Sequence, residues 1–288
     1  MLAQRVVTAV VLLAVLLGAL LAPSPWPLVL VLTVAAACAA WEWLRLTWPR
    51  RPSIVPVLAA AALACLMLAA AESFLGGSPA LADFIRQYGN GWLAPLVAAA
   101  WVLVAGAMVL RGRAQAAPGS LGLSLFGLLA VWTAWAALIQ LYLAHGALFL
   151  VTVLAFIWCA DIGAYFAGKA LGRHKLAPSV SPGKTWEGAA AGVAAAVLWV
   201  VATRGWAGTF GDVLVRSQDG ALGRAALLAA LLAALSIVGD LFESLLKRRA
   251  GLKDSSQLLP GHGGVYDRLD ALLPVAPCVL LLVGAVPA

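Results

Sequence analysis

Long apolar segments constrain this chain more than any other feature of its sequence. Runs of about 20 residues, rich in Ala and Leu, recur throughout, and each is long enough to cross roughly 30 Å of hydrocarbon as a helix. The alternating pattern of a membrane barrel is not seen. The sequence therefore predicts an all-α, polytopic membrane protein of about nine spans, with eight or ten as alternatives. The predicted spans lie near 6–22, 26–46, 55–74, 91–110, 122–142, 147–168, 187–203, 225–246 and 270–287.

Composition excludes a soluble fold of this length. The 288 residues are 64% hydrophobic and 11% charged, whereas soluble domains are about half apolar and about a quarter charged. The four cysteines all lie in apolar runs and show no disulfide or metal-binding spacing. A cleaved signal peptide is the alternative interpretation of the first run. Its apolar core is longer than that of a usual signal, and no clear cleavage site precedes Pro23, so we interpret it as a span.

The positions of the basic residues predict how the chain is oriented. With a cytoplasmic N-terminus and alternating spans, 15 of the 19 Lys and Arg residues face the cytoplasm. The net charge of +7 then belongs mostly to a surface facing anionic head groups or anionic substrates, and we predict no nucleic-acid partner. The expected location is the inner cell membrane, with the active site facing the cytoplasm. The four basic residues predicted to lie outside are Arg86, Arg204, Arg216 and Arg224.

Chemistry-bearing residues are concentrated in the second half of the chain. We divide the sequence into an N-terminal region of about five spans, 1–146, and a C-terminal catalytic region, 147–288. The C-terminal region contains both long cytoplasmic loops, 169–186 and 247–269. No internal repeat or flexible linker is visible, so both regions belong to one membrane domain.

Two aspartates lie inside predicted spans, where ionisable groups are costly and usually mark function. Asp161 and Asp240 each precede the cytoplasmic end of their span by about seven residues, which places both carboxylates roughly 10 Å below the surface. Ser244 and Lys247 follow Asp240 on the same helix face. Two acids at matched depth predict a polar cavity open to the cytoplasm. For each acid the alternative is a contact that only locks helix packing.

The segment 244–270 collects both signs of charge around several glycines. The glycines that allow close backbone approach to a ligand are Gly261, Gly263 and Gly264. The donors for phosphate oxygens are Lys247, Arg248 and Lys253. The hard oxygen ligands, which suit Mg²⁺, are Asp240, Asp267 and Asp270. This combination is typical of chemistry at the phosphates of a nucleotide. A positive-inside cluster with compensating acids is the alternative, but it does not explain the glycines or the spacing of the acids.

The second basic loop contains the tripeptide "GKT", which is not part of a P-loop. Pro178 stands where the first glycine of that motif would be, and no strand precedes it. We interpret Lys184 and Thr185 as an anion site near the N-terminus of the seventh span. Glu42 and Glu243 lie near the ends of their predicted spans, and we interpret both as interfacial residues.

The run from Ser244 to Asp270 resembles the signature of the phosphatidate cytidylyltransferases, the CDP-diacylglycerol synthases. The matching positions, without departure from that pattern, are Ser244-x-Leu246-Lys247-Arg248, Lys253-Asp254 and Pro260-x-His262-Gly263-Gly264-x-x-Asp267-Arg268-Leu269-Asp270. The stretch "SPGKTWEG" at 181–188 is similar to a second motif of the family, with Gly183 where a basic residue is common. Asp161-x-Gly163-Ala164-Tyr165 is also similar to the family. The resemblance covers about residues 155–275.

The resemblance implies that the chain transfers the cytidylyl group of CTP to phosphatidic acid, giving CDP-diacylglycerol and pyrophosphate for phospholipid biosynthesis. It implies Mg²⁺ as cofactor and a homodimer in the bilayer. The implied metal ligands are Asp240 and Asp267, and the implied catalytic residues are Lys247, Arg248 and Asp270. The expected substrate-binding residues are Asp161, Ser181, Lys184, Thr185, Ser244, Lys253, Asp254, His262, Gly263, Gly264 and Arg268.

Other functional classes remain as alternatives. A CTP-dependent lipid kinase of the polyprenol type would transfer the γ-phosphoryl group instead. An ion-coupled transporter would also use intramembrane acids, but it would predict discontinuous helices in related halves, and no repeat is apparent. A CDP-alcohol transferase would need a different run of acids beginning Asp-Gly, which this sequence lacks.

Overall fold

A computed structural model describes residues 2–48, 53–117 and 119–284, with only the backbone of residues 2 and 3. The described residues are mostly helical, and among them there is one short hairpin. The helices are α1 (Leu2–Leu20), α2 (Trp26–Thr47), α3 (Val55–Phe74), α4 (Pro79–Arg111), α5 (Leu121–Leu171), α6 (Trp186–Thr203), α7 (Phe210–Arg216), α8 (Leu222–Ala250), α9 (Tyr266–Leu269) and α10 (Leu272–Val283). The antiparallel strands are β1 (Lys175–Ala177) and β2 (Ser181–Thr185).

Six helices among the described residues are long and apolar enough to cross a membrane, and these are α2, α3, α4, α5, α6 and α8. Helix α4 includes two π-helical stretches, Ile85–Leu93 and Trp101–Ala105. The structure confirms the predicted all-α, multi-span architecture. The exact number of spans and the side on which the N-terminus lies stay predictions.

Helix α5 is two helices joined at a bend. It has 51 residues, about twice the length that one span requires. At Gly146 the backbone has φ 82° and ψ −176°, a conformation that is essentially restricted to glycine. The bend separates the stretches 121–145 and 147–171, which correspond to the fifth and sixth predicted spans.

The helix found at the last predicted span is shorter than predicted. The first residues of that span belong to a turn after α9, and α10 has 12 residues with Pro277 inside it. The final predicted residues, 285–287, lie outside the described residues, as do Arg50 and Arg51, which were counted as cytoplasmic.

The loop predicted at 169–186 contains the hairpin. Lys175 pairs with Thr185 and Ala177 pairs with Ser181, and the Trp186 N–H donates to the His174 carbonyl at 2.9 Å. Two features fix the turn of the hairpin, and both involve Val180. Val180 is fully buried, and its carbonyl accepts a hydrogen bond from Arg248 Nε at 3.3 Å. The hairpin thereby becomes a fixed wall beside the end of α8.

An aromatic cluster forms the core beneath the charged loop that follows α8. Its rings meet mostly edge to face or tilted, with centroid separations of 5.0 to 6.0 Å, an arrangement that favours packing of aromatic quadrupoles. The members come from α2, α4, α5, α8 and α9, so the cluster joins the N-terminal and C-terminal regions. They are Trp43, Trp101, Phe126, Phe242 and Tyr266.

Candidate active site

A cavity of about 550 Å³ lies between the second half of α5, the hairpin, α6 and α8. The helix walls approach closely because small residues face one another. A Cβ added to Gly192 would lie 2.6 Å from the Ala160 carbonyl oxygen, so α5 and α6 could not keep this spacing with a larger residue there. The predicted site residues that line the cavity are Asp161, Ser181, Lys184, Thr185 and Asp240.

Strand β2 brings two of these side chains to the cavity. The Lys184 ammonium donates to an Asp240 carboxylate oxygen, and both side chains are about one-third exposed or less. The Thr185 hydroxyl caps α6 by accepting a hydrogen bond from the Gly188 N–H at 3.1 Å. The sequence predicted Lys184 and Asp240 separately, and the structure shows that they form an ion pair.

Three carboxylates converge where α8 meets the start of α10. Asp240, Glu243 and Asp270 each offer an oxygen, and these three atoms lie within 4.8 Å of one another. The approach depends on Gly239, where an added Cβ would lie 2.4 Å from the Asp270 carbonyl oxygen. Like charges at this distance repel, so a cation or a proton must offset them. We refer to these three residues as the acid cluster.

Lys247 links the acid cluster to the loop that follows α8. Its ammonium lies 2.6 Å from Glu243 Oε2 and 2.8 Å from Asp267 Oδ1. The oxygens of Asp267 also accept hydrogen bonds from the N–H groups of Gly264 and Ser255. Burial raises the pKa of Asp267, but hydrogen bonds from neighbouring side chains and from the Gly264 N–H outweigh it, and the pKa lies below its ordinary value.

Asp267 therefore has a different environment from the one expected of a metal ligand. Its oxygens face N–H donors and Lys247, whereas Glu243, which we interpreted as interfacial, belongs to the acid cluster. The spacing of Glu243, three residues after Asp240 on one helix, places both on the same face and was the available signal. The assignment of Asp267 to a metal site stays a prediction.

The other predicted residues of the signature lie outside the lining of the cavity. Arg268 donates to the His262 carbonyl oxygen at 2.6 Å, and Ser244 is half-buried on α8. Lys253 and Asp254 are exposed and do not line the cavity.

The glycines of the loop have clear structural reasons. Gly263 has φ +84°, and a Cβ there would lie 2.6 Å from Asp267 Oδ2. At Gly264 an added Cβ would lie 1.9 Å from Ser255 Oγ. Both positions therefore let the backbone fold tightly around the Asp267 carboxylate.

Glu42 is a residue whose importance sequence reasoning missed. It is fully buried on α2, and within the described ranges its carboxylate accepts hydrogen bonds from the loop after α8 and from the first residue of α9. An acid between two tryptophans inside a predicted span was the signal for this, because such groups are costly unless they have a partner.

Comparison with known proteins shows the family to which the chain belongs. Residues 3–286 match the model of the cytidylyltransferase family. The chain is 41% identical over 294 residues to a phosphatidate cytidylyltransferase of Pseudomonas aeruginosa, covering 99% of this chain and 98% of that protein. It is 34% identical to a phosphatidate cytidylyltransferase of Haemophilus influenzae over 96% of each chain. A Brucella suis protein of the same name is 48% identical over 139 residues, 48% of this chain and 47% of its own.

Proposed function

The chain belongs to the cytidylyltransferase family, and from this premise we propose that it transfers the cytidylyl group of CTP to phosphatidic acid, giving CDP-diacylglycerol and pyrophosphate. The observation that carries the proposal is the ion pair between Lys184 and Asp240. Asp240 belongs to the acid cluster and also lines the cavity of about 550 Å³. Cations suited to phosphate and carboxylates suited to a divalent metal lie side by side there.

The reaction brings two anions together. An oxygen of the phosphatidate phosphate attacks the α-phosphorus of CTP, a new P–O bond forms, and the bond to the β-phosphate oxygen breaks as pyrophosphate leaves. Because the nucleophile is already anionic, no strong base is required. The protein must position the two phosphates and offset their charge.

The cavity residues divide this work. Lys184 is placed to contact a phosphate oxygen once a substrate competes with Asp240 for its ammonium. Ser181 and Thr185 contribute hydroxyl groups at the hairpin wall of the cavity. Lys247 and Arg248 do not line the cavity: Lys247 balances Glu243 and Asp267, and Arg248 donates through Nε to the Val180 carbonyl. We assign both cations to the binding of substrate phosphates.

The acid cluster fits a divalent cation. Its carboxylates are hard oxygen donors close enough to share one ion, and Glu243 Oε1 is buried without a hydrogen-bond partner in the described part of the chain. Asp240, Glu243 and Asp270 would hold Mg²⁺. When bound, Mg²⁺ supplies positive charge that stabilises negative charge on the phosphate oxygens. Of the two metal ligands implied by the resemblance, this assignment keeps Asp240, and it proposes Glu243 and Asp270 in place of Asp267.

The lipid substrate and the orientation form part of the same proposal. We place the protein in the inner cell membrane as a homodimer, with the cavity facing the cytoplasm. Asp161 and Asp240 line the cavity from helices that are long and apolar enough to cross a membrane, which supports entry of a lipid phosphate from the inner leaflet.

The test is identification of the lipid product. Purified protein is incubated with phosphatidate, Mg²⁺ and CTP labelled in the cytidine ring. Labelled lipid together with released pyrophosphate supports the proposal. Labelled CDP in solution with a newly phosphorylated lipid would instead identify a CTP-dependent lipid kinase. Asp240→Asn should abolish product, while Asp219→Asn should not, because the Asp219 side chain is exposed on the turn between α7 and α8.

A further inference from the structure

Glu42 connects the N-terminal region to the signature loop through a single buried carboxylate. Its Oε2 accepts hydrogen bonds from Ser255 Oγ at 2.8 Å and from the Tyr266 N–H at 2.6 Å. Its Oε1 accepts from Ser256 Oγ at 2.5 Å and from the Val265 N–H at 3.0 Å. Among the described residues Glu42 has no ion-pair partner, so these four donors are what compensates its buried charge.

The four donors come from the two ends of one loop. Ser255 and Ser256 directly follow Lys253-Asp254, and Val265 and Tyr266 directly precede Asp267. One carboxylate therefore holds the loop closed at its base.

The contact between Glu42 and the loop is also close at Gly264. A Cβ added to Gly264 would lie 2.5 Å from Glu42 Oε2 as well as 1.9 Å from Ser255 Oγ. A glycine is needed there for the loop to close over Glu42.

The closed loop sets the position of the acids that follow it. The Tyr266 peptide, whose N–H is held by Glu42, accepts the Asp270 N–H at its carbonyl at 3.0 Å. Asp270 then joins Asp240 in the acid cluster. Asp267, one residue after Tyr266, meets Lys247 at 2.8 Å. The path from Glu42 to the acid cluster thus contains one residue, Tyr266.

We infer that Glu42 is a positioning residue for the transfer reaction: it fixes the 255–266 loop so that Asp267 and Asp270 face Lys247 and Asp240. This inference rests on the proposed function, because the rate to be measured is that of the proposed reaction. The contacts that support it lie outside the cavity. Glu42 touches neither the cavity nor the acid cluster, and it acts through Tyr266.

The aromatic packing beside Glu42 does not require a charged side chain at this position. Trp43, the next residue on α2, packs on the Tyr266 ring at 5.0 Å and donates to the Leu123 carbonyl at 2.9 Å. An isosteric Glu42→Gln variant keeps this packing and should fold, but its amide NH₂ replaces an acceptor that faces N–H and O–H donors. The loop should then lose its fixed position while the helix bundle stays assembled.

The experiment compares Glu42→Gln with Thr33→Val. Thr33 is also buried on α2, where it accepts a hydrogen bond from Trp135 Nε1 at 3.0 Å, and it does not contact the loop. Each variant is purified, and the folded fraction is determined. The measurements are kcat, KM for CTP, the Mg²⁺ concentration giving half-maximal rate, and hydrogen–deuterium exchange of peptides covering 255–266.

Glu42→Gln should lower kcat per folded molecule by about 10-fold to 100-fold, as is usual when a group that orients metal ligands is lost. It should also raise the Mg²⁺ requirement and speed exchange across 255–266, with a smaller change in KM for CTP. Thr33→Val should lower thermal stability and change none of these. Ser256→Ala, which removes one of the four donors, should produce smaller effects in the same direction.

The inference is overturned if Glu42→Gln lowers only yield and thermal midpoint, with kcat, Mg²⁺ response and exchange per folded molecule unchanged. If Glu42→Gln does not fold, Ser256→Ala decides, and unchanged kcat and exchange in that variant overturn the inference. A wild-type protein that makes no CDP-diacylglycerol would refute the proposed function instead, and the exchange data would still report on Glu42.

Discussion

At the scale of single residues, the candidate site is organised by pairing of opposite charges rather than by isolated groups. Lys184 meets Asp240, and Lys247 meets Glu243 and Asp267. Each pair is partly buried, so its charges are less screened than those of a surface pair. In the proposed reaction, substrate phosphates would compete with carboxylates for both lysines, which would couple phosphate binding to release of the acids.

Lys184→Gln tests the phosphate role of the cavity lysine. We expect kcat/KM for CTP to fall by about 100-fold, because a charge-assisted contact to a phosphate oxygen is lost while the amide still reaches Asp240. Lys175→Gln is the matched control, since Lys175 is an exposed lysine on the paired strand β1. Steady-state kinetics of both variants make the comparison. Equal losses would show that the hairpin needs only general positive charge.

Glu243→Gln and Asp267→Asn test which acid completes the metal site. We expect Glu243→Gln to weaken Mn²⁺ binding by about 10-fold or more, because it removes an oxygen ligand from the acid cluster. Asp267→Asn should weaken binding less, since Asp267 faces Lys247 and backbone N–H groups. Mn²⁺ titration followed by electron paramagnetic resonance measures both. The reverse order would support the ligand set expected from the family signature.

The sequence predicted most members of the site but not their arrangement. Asp240 was identified because charge inside a span is costly. Lys184 was identified as an anion site near the N-terminus of the seventh span, and Lys247 as a phosphate donor on the helix face of Asp240. That Lys184 reaches Asp240 depends on how the hairpin packs against α8, which is a tertiary contact between residues 56 positions apart. Glu42 was misjudged for the same reason, because its partners lie more than 200 residues away in the sequence.

At the scale of elements, the lengths of the apolar runs predicted the helices well, whereas the structure of the polar segments was harder to predict. The bounds of α2, α3 and α6 lie within a few residues of the predicted spans 26–46, 55–74 and 187–203. The hairpin was missed because its residues have little strand propensity, and its position depends on contacts with α8 through Arg248. The structural roles of two glycines, the bend at Gly146 and the close helix approach at Gly239, are seen only in the folded structure.

Gly146→Ala should destabilise the protein through its backbone alone. A Cβ would meet no atom within 4 Å, but φ 82° with ψ −176° is unfavourable for alanine by about 1–3 kcal/mol. Gly223→Ala is the control, because Gly223 also has open space around it and lies within α8 without a positive φ. Thermal unfolding in detergent should show a lower midpoint for Gly146→Ala only. An unchanged midpoint would mean that the bend in α5 adapts without strain.

Gly239→Ala should disturb the acid cluster directly. The new methyl group would lie 2.4 Å from the Asp270 carbonyl oxygen and 2.9 Å from Pro274 Cγ, so α8 and α10 must separate. We expect a loss of about 1–3 kcal/mol in stability, as for other overpacked cores. The folded fraction should also show a lower kcat and a higher Mg²⁺ requirement than Gly223→Ala. Stability loss without a change in Mg²⁺ response would separate the glycine from the metal site.

At the scale of the whole molecule, contacts gather the basic loops at one end. Arg249 Nε donates to the Arg113 carbonyl, so the loop after α4 lies beside the end of α8. Thr8 Oγ1 donates to the Pro260 carbonyl, so the loop after α8 lies beside α1. At the other end, Asn90 and Gln140 are hydrogen-bonded, and His145 lies 3.2 Å from the Gly284 carbonyl oxygen.

The charges at the two ends differ in the way the positive-inside rule requires. Of the four basic residues predicted to lie outside, three form ion pairs with nearby acids, so that end carries little net charge. These pairs are Arg86–Asp83, Arg216–Asp212 and Arg224–Asp219. In the predicted orientation the net charge of +7 belongs to the side that holds the candidate site.

Cysteine labelling of cells tests which end faces the cytoplasm. In a variant without the native cysteines, Leu258→Cys lies on the exposed part of the signature loop, and Ser217→Cys lies at the exposed end of α7. With the site facing the cytoplasm, a membrane-impermeant maleimide should label Ser217→Cys in intact cells and Leu258→Cys only after permeabilisation. The reason is that Lys and Arg near span ends favour the cytoplasmic side, and 15 of the 19 lie on the side predicted to face the cytoplasm. The opposite labelling pattern would place the site outside, where a cytoplasmic supply of CTP could not reach it, and would contradict both the orientation and the proposed function.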